Sequence, residues 1–161
     1  MITLRPATPD DLPLLLEWDQ QPHVIDSDPS DDWDWETELV RTPDWREQLM
    51  AEWNGRPVGF IQIIDPDREV TRYWGETGPG FRAIDIWIGW PEDLGKGYGS
   101  MMMKQAIARC FSDPLVHTIL IDPLLSNIRA QNFYRRLGFI PVGERRFNED
   151  DCLVMELKRS S

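Results

Sequence analysis

Three glycines at alternate positions, Gly95, Gly97 and Gly99, run straight into an apolar helical pattern in the stretch DLGKGYGSMMMKQAI, residues 93–107. Glycine permits positive φ and a close approach of the backbone to a ligand. The first amides of a helix starting here have no intrahelical acceptors. Such amides, with the helix dipole behind them, favour an anion. The spacing reads as a diphosphate cradle of backbone N–H groups from about Gly95 to Ser100. A dinucleotide fingerprint would need G-x-G-x-x-G in the first βα unit, whereas here G-x-G-x-G follows three or four strands. A P-loop fails because no G-K-[ST] stands at the required spacing.

The other reactive residues are acids and one tyrosine. Asp85 interrupts the apolar run AIDIWIG, ten residues before Gly95. Asp122 ends a second apolar run and precedes Pro123. Tyr134 follows Asn127 by seven residues, about two helical turns, so both share one side. The run DSDPSDDWDWETE (26–38) holds seven carboxylates and no base, and the net charge is −11. Nucleic acid is a poor partner for such a chain, a cationic substrate is attracted to it, and an anionic cofactor needs concentrated local donors.

Each of these residues also has a purely structural reading. Asp85 suits a solvent-facing half-strand, Tyr134 a core position, Asn127 a helix N-cap and Asp122 a strand-ending turn. The acidic run suits a solvated loop. The tryptophans are core residues by default, although Trp74 precedes the ETGPG loop and Trp33 or Trp35 could stack on a cation. His23 and His117 show no ligand spacing and no metal site is expected. Cys110 and Cys152 fit core thiols, not a disulfide framework.

These groups need elements to position them. ITLRPA (2–7) is a short strand. TPDDLPLLLEWDQ carries a helix start, with Thr8 as N-cap, Pro9 in the first position and Asp11 completing a capping box. Residues 26–44 read as a loop with short helical pieces. REQLMAEWNGRPVGFIQIID is a hairpin turning at Asn54-Gly55, and 65–80 is a connection. FRAIDIWIGW (81–90) alternates as a strand; a helix runs from about Gly97 to Phe111; VHTILID (116–122) is a buried strand. Ser126 or Asn127 starts a further helix that Gly138 closes, and FIPVGERRF and DCLVMELK form an antiparallel pair. This order implies one α/β (α+β) domain over residues 1–161, a mixed sheet with helices on both faces. No apolar run reaches the roughly 20 residues of a membrane span, and no signal-peptide core opens the chain, so the expectation is a cytoplasmic protein.

Strand 81–90, the loop PEDLGKGYG, a helix, strand 116–122 and NIRAQNFYRRLGF together closely resemble the GNAT superfamily of N-acetyltransferases. Asn127, Ala130, Tyr134, Arg136, Gly138 and Phe139 match the family's N-x-x-A-x-x-x-Y helix and its K/R-x-G-F ending. ETGPGFRAID, DLGKGYG and IDPLLSNIRAQNFYRRLGF are most similar to the aminoglycoside 6'-N-acetyltransferase branch. The resemblance implies a mostly antiparallel sheet of six or seven strands, and acetyl-CoA (coenzyme A) as co-substrate. It implies cofactor contacts at Ile86, Trp87 and Ile88, at Leu94, Gly95, Lys96, Gly97, Tyr98, Gly99 and Ser100, and at Asn127, Ala130 and Tyr134. Leu94 departs from the family's Gln or Arg, which leaves the phosphates to backbone amides and Lys96.

Direct acyl transfer needs a base for the amine and an acid for the leaving thiolate. By the resemblance these are Asp85 and Tyr134. The implied acceptor is a primary amine on a small cationic molecule, met by Asp85, Asp122, Trp33, Trp35 and Trp74. The alternatives are a protein N-terminus or lysine, a siderophore precursor, or a non-catalytic acetyl-CoA-binding module, in a monomer or homodimer.

Overall fold

The chain lays down three antiparallel strands first, β1 (Ile2–Pro6), β2 (Arg46–Trp53) and β3 (Arg56–Ile64). Between β1 and β2 come three short helices, α1 (Leu12–Trp18), α2 (Pro22–Ser27) and α3 (Trp35–Glu38). Then follow β4 (Phe81–Ile88), α4 (Tyr98–Phe111), β5 (Thr118–Ile121), α5 (Ile128–Arg136), β6 (Ile140–Phe147) and β7 (Asp150–Lys158). This is a computed structural model, and it describes residues 1–29 and 32–160.

The seven strands form one sheet in the order β1-β2-β3-β4-β5-β7-β6. Only β4 and β5 run parallel; every other neighbouring pair is antiparallel. The last strand of the chain therefore lies inside the sheet, between β5 and β6. All four residues of β5 are buried.

Local chemistry explains the elements. Asn54 and Gly55 both take positive φ, 50° and 83°, which a two-residue hairpin turn with the native strand twist requires. At the first helix the Asp11 carboxylate accepts the Thr8 amide at 2.8 Å. The prolines there make Pro9–Asp11 a 3-10 turn, and the α-helix begins at Leu12.

Alternation along β4 sorts its side chains onto two layers. Ile84, Ile86 and Ile88 pack in the cluster formed by Met102, Met103 and Ala106 of α4 and Phe133 of α5. Trp87 packs on the other face, with Met50, Phe60, Leu15, Trp18 and Trp35. Helices thus cover both faces of the sheet. No helix among the described residues is long and apolar enough to cross a membrane.

Candidate active site

The register of β4 and β5 opens the site. They pair only over Phe81–Ala83 with Thr118–Leu120. Beyond this, β4 continues to Ile88 against β3 alone, while β5 ends at Ile121. A cleft of about 650 Å³ lies along this parting. Ile86, Trp87 and Ile88 form one wall, and Asn127, Ala130, Phe133 and Tyr134 of α5 form the other. Leu94, Gly95, Gly97, Gly99 and Ser100 close its end. From α2, His23, Asp26 and Ser27 reach the rim, and His23 Nε2 is hydrogen-bonded to the Ile88 carbonyl oxygen at 2.8 Å.

The glycine loop has the properties a diphosphate needs. Gly95 and Gly97 hold φ of 74° and 81°, and Gly97 is the N-cap of α4. A Cβ added at either would meet no protein atom within 4 Å. The left-handed backbone, not crowding by the protein, therefore demands glycine, and open space lies before the loop. The first amides of α4 face that space with a 14-residue helix behind them.

Two residues expected in the cradle stand apart from it. Lys96 does not line the cleft; its Nζ lies 3.9 Å from buried Asp93, which Arg56 holds through two bonds of 2.9 and 3.0 Å. The Tyr98 side chain is buried in the core, with its ring 5.2 Å from that of Trp53. As the first helical residue it points back toward the sheet. The cations that do line the cleft are Arg129 and Arg136 on α5. Sequence reading used Arg136 only as a motif match and passed over Arg129. Their seven-residue separation, about two helical turns, was the available signal.

Asn127 caps α5, accepting the Ala130 amide at 3.1 Å. Buried Gln131 donates to the carbonyls of Leu124 and Leu125 at 2.9 and 3.0 Å, which fixes the approach to the helix. Tyr134, in the α5 wall, makes edge contacts with Phe133 and Phe139. Its hydroxyl has no hydrogen-bond partner among the described residues. Burial first, then the charges of Asp85 and Asp122, push its ionisation well above that of a free phenol. It stays protonated at neutral pH.

Neither Asp85 nor Asp122 lines the cleft, but the charges of both reach Tyr134, which does. Asp85 projects from the β4 face that carries Ala83 and Trp87. Ala83 pairs with Leu120, so Asp85 and Asp122 each stand two residues past the last register pair, where the strands separate. Gln62 Nε2 donates to Asp85 Oδ2 at 3.1 Å, and Gln48 Nε2 donates to Gln62 Oε1 at 3.1 Å. Tyr73 donates its hydroxyl proton to Asp122 Oδ2 at 2.6 Å. Sequence reading missed Gln48, Gln62 and Tyr73. The polar break in GFIQII was a signal for Gln62.

The tryptophans divide. Trp33 stacks on Trp35 with centroids 5.2 Å apart, and it lines a second pocket of about 140 Å³ with Asp19, Asp28, Asp32 and Trp87. Burial, and the charge of Asp32, raise the Asp19 carboxyl above its ordinary value, against the opposing hydrogen bond from Trp35 Nε1. Trp35 itself is 3% exposed, and its ring fills the layer between α1 and β3. Trp74 is 7% exposed and packs edge-on against Phe147. Both are core residues because the sheet needs large apolar cover at those points. Asp31 lies outside the described residues.

Cys110 and Cys152 are buried in separate clusters, and neither lines the cleft. Burial pushes both thiols up to about 12. No group of acids, histidines or cysteines among the described residues could hold a metal ion.

Comparison with known proteins places this geometry in context. Residues 7–147 match the family profile of the acetyltransferase (GNAT) domain. Aminoglycoside N(6')-acetyltransferase type 1 of Klebsiella pneumoniae is 32% identical over 152 residues, covering 86% of this chain and 73% of the relative. The crystal structure of aminoglycoside acetyltransferase AAC(6')-Ib with coenzyme A and kanamycin superposes with a TM-score of 0.87 at 29% identity, covering 99% of this chain and 95% of that one. Spermidine N-acetyltransferase from Vibrio cholerae, solved with CoA and spermine, shares the fold at a TM-score of 0.75 and 18% identity over 98% of this chain and 95% of that one. The parted strands, the glycine loop at a helix start and the match over residues 7–147 agree: the chain belongs to the GNAT family of acetyltransferases, enzymes that use acetyl-CoA as acyl donor.

Proposed function

We propose that this acetyltransferase acetylates a primary amine of a polycationic aminoglycoside, at the 6'-amino group named for its relatives. One observation carries the acceptor class: Asp85 and Asp122 both stand at the strand parting, the charges of both reach Tyr134, and each accepts a hydrogen bond from a neutral side chain. A neutral donor orients a carboxylate without bringing a positive charge of its own to the site. The second pocket, with Asp19, Asp28, Asp32 and Trp33, extends the acidic surface beyond Trp87, which lines both cavities.

Each residue then has a task. The amides from Gly95 to Ser100 bind the diphosphate of coenzyme A, with Arg129 and Arg136 as nearby cations. Bound acetyl-CoA supplies a thioester-activated acetyl group. Asp85 accepts the proton of the acceptor ammonium, directly or through water, and Tyr134 holds a proton at its Oη beside the cleft for the leaving group. The amides of Ile86 and Ile88, which face away from β3, polarise the carbonyl from the open edge of β4. Neither buried thiol lines the cleft, which supports direct transfer without a covalent enzyme intermediate.

The test is an amine panel assayed for free-thiol release with acetyl-CoA: kanamycin, spermidine, a simple monoamine and a lysine peptide. Kanamycin should have the highest kcat/KM. That value should fall as salt rises, because several weak exposed attractions are screened together, while acetyl-CoA affinity should not fall in parallel. Turnover of the peptide without turnover of kanamycin would overturn the reading.

A further inference from the structure

We propose that Tyr73, in the loop between β3 and β4, is a positioning residue of the acceptor site: its hydroxyl fixes Asp122 so that the carboxylate receives a second ammonium group of the acceptor while Asp85 serves the reacting one. The proposal rests on the polycationic acceptor described above.

The geometry is specific. The Tyr73 hydroxyl lies 2.6 Å from Asp122 Oδ2, across 49 residues of sequence. The tyrosine ring is held from two directions. It stacks on Phe147 at the end of β6, with centroids 4.4 Å apart and planes 9° from parallel, and meets Trp74 edge-on at 5.7 Å. Arg145 sits over the same Phe147 ring and donates to the Trp74 carbonyl at 3.0 Å, which ties the loop to β6. The hydroxyl is therefore presented by a fixed ring, so Asp122 is oriented at little further entropic cost.

The electrical surroundings agree with this placement. Both Asp85 and Asp122 oppose ionisation of Tyr73, and both oppose ionisation of Tyr134. The two phenols and two carboxylates share one neighbourhood. Tyr73 thus remains a neutral donor. A lysine or arginine in its place would hold Asp122 equally well and would repel the acceptor.

The experiment compares wild type, Tyr73→Phe, Asp122→Asn and the double variant with kanamycin and with a monoamine. Phenylalanine keeps the ring stack on Phe147, so thermal stability should change little. Tyr73→Phe should raise KM for kanamycin about tenfold, the loss expected for one hydrogen bond to a charged group. Its kcat should stay within about twofold, and its KM for the monoamine should not move. Because the hydroxyl acts through Asp122, the double variant should be no worse than Asp122→Asn alone. An unchanged kanamycin KM in Tyr73→Phe, equal losses for both amines, or additive losses in the double variant would each overturn the role of Tyr73. If wild type itself turns over no polycationic amine, the acceptor reading fails and the proposal falls with it.

Discussion

Gln62 donates from Nε2 to Oδ2 of Asp85 at 3.1 Å, and the two residues are direct partners in the β3–β4 register. Gln48, the register partner of Gln62 on β2, donates to it in turn. A row of amides thus crosses three strands and ends on the carboxylate assigned as base. Gln62→Leu should remove the last donor and lower kcat/KM for the amine by roughly tenfold or more, the scale of a hydrogen bond to a charged group. Acetyl-CoA binding, measured by calorimetry, should be unchanged. A variant with wild-type kcat/KM would reduce the row to sheet packing.

Tyr134→Phe removes one proton donor and little else. The ring contacts with Phe133 and Phe139 do not need the hydroxyl. Turnover should fall by about 10- to 100-fold, with water replacing part of the donor's contribution, while acetyl-CoA affinity holds. Burial and the nearby acids raise the phenol's ionisation, so the donor form persists through pH 10. The wild-type kcat profile should therefore show no alkaline fall attributable to Tyr134 below that pH. A tyrosine-dependent limb near pH 8 would contradict the assignment.

Gly97 and Gly55 form a matched pair of probes. Both hold left-handed φ, 81° and 83°, and a Cβ on either meets no protein atom within 4 Å. Alanine at each should cost similar backbone strain, about 1–2 kcal/mol. Only Gly97 lies in the cleft. Both variants should lower the melting temperature by similar amounts, but only Gly97→Ala should weaken acetyl-CoA binding, at least tenfold. Equal binding by the two variants would remove the glycine loop from the cofactor site.

Stability should decline in alkali before any loss of fold at neutral pH. Burial pushes the Cys110 thiol up to about 12, against about 8.5 in an unfolded chain. A group whose native value is raised contributes fully below the unfolded value, and the contribution is lost as pH climbs toward the native one. Melting temperature should thus fall as pH rises from about 8.5 to 11. In Cys110→Ala the slope over that interval should be shallower. An unchanged slope would show that Cys110 is not held neutral by the fold.

Much of this arrangement was legible in the chain because it rests on local rules. The Asn54-Gly55 turn, the alternation through β4 and the helix start at Gly97 each follow from backbone preference or period. Asp85 was visible as a charge in an apolar strand, and Gln62 broke its own strand in the same way. What escaped reading depended on long-range neighbours. Tyr73 meets Asp122 only because the β3–β4 loop folds over the end of β5. Trp35 and Trp74 could not be told from ligand-facing tryptophans until their layers were known, since aromatic character serves both uses. Lys96 sits between two cradle glycines, yet Asp93, three residues before it, draws its charge aside.

The place of β7 between β5 and β6 bears on how the chain is made. During synthesis β5, with all four residues destined for burial, emerges long before residues 150–158. Until those arrive, one side of β5 presents unmatched backbone groups, the kind of edge that recruits other chains. Meanwhile α5 and β6 must be produced without occupying that gap. A nascent chain stalled near residue 148 would carry the glycine loop and both assigned acids and still lack the strand that completes the sheet. Slow translation there should favour self-association, and chaperone contact with nascent chains should concentrate in that interval.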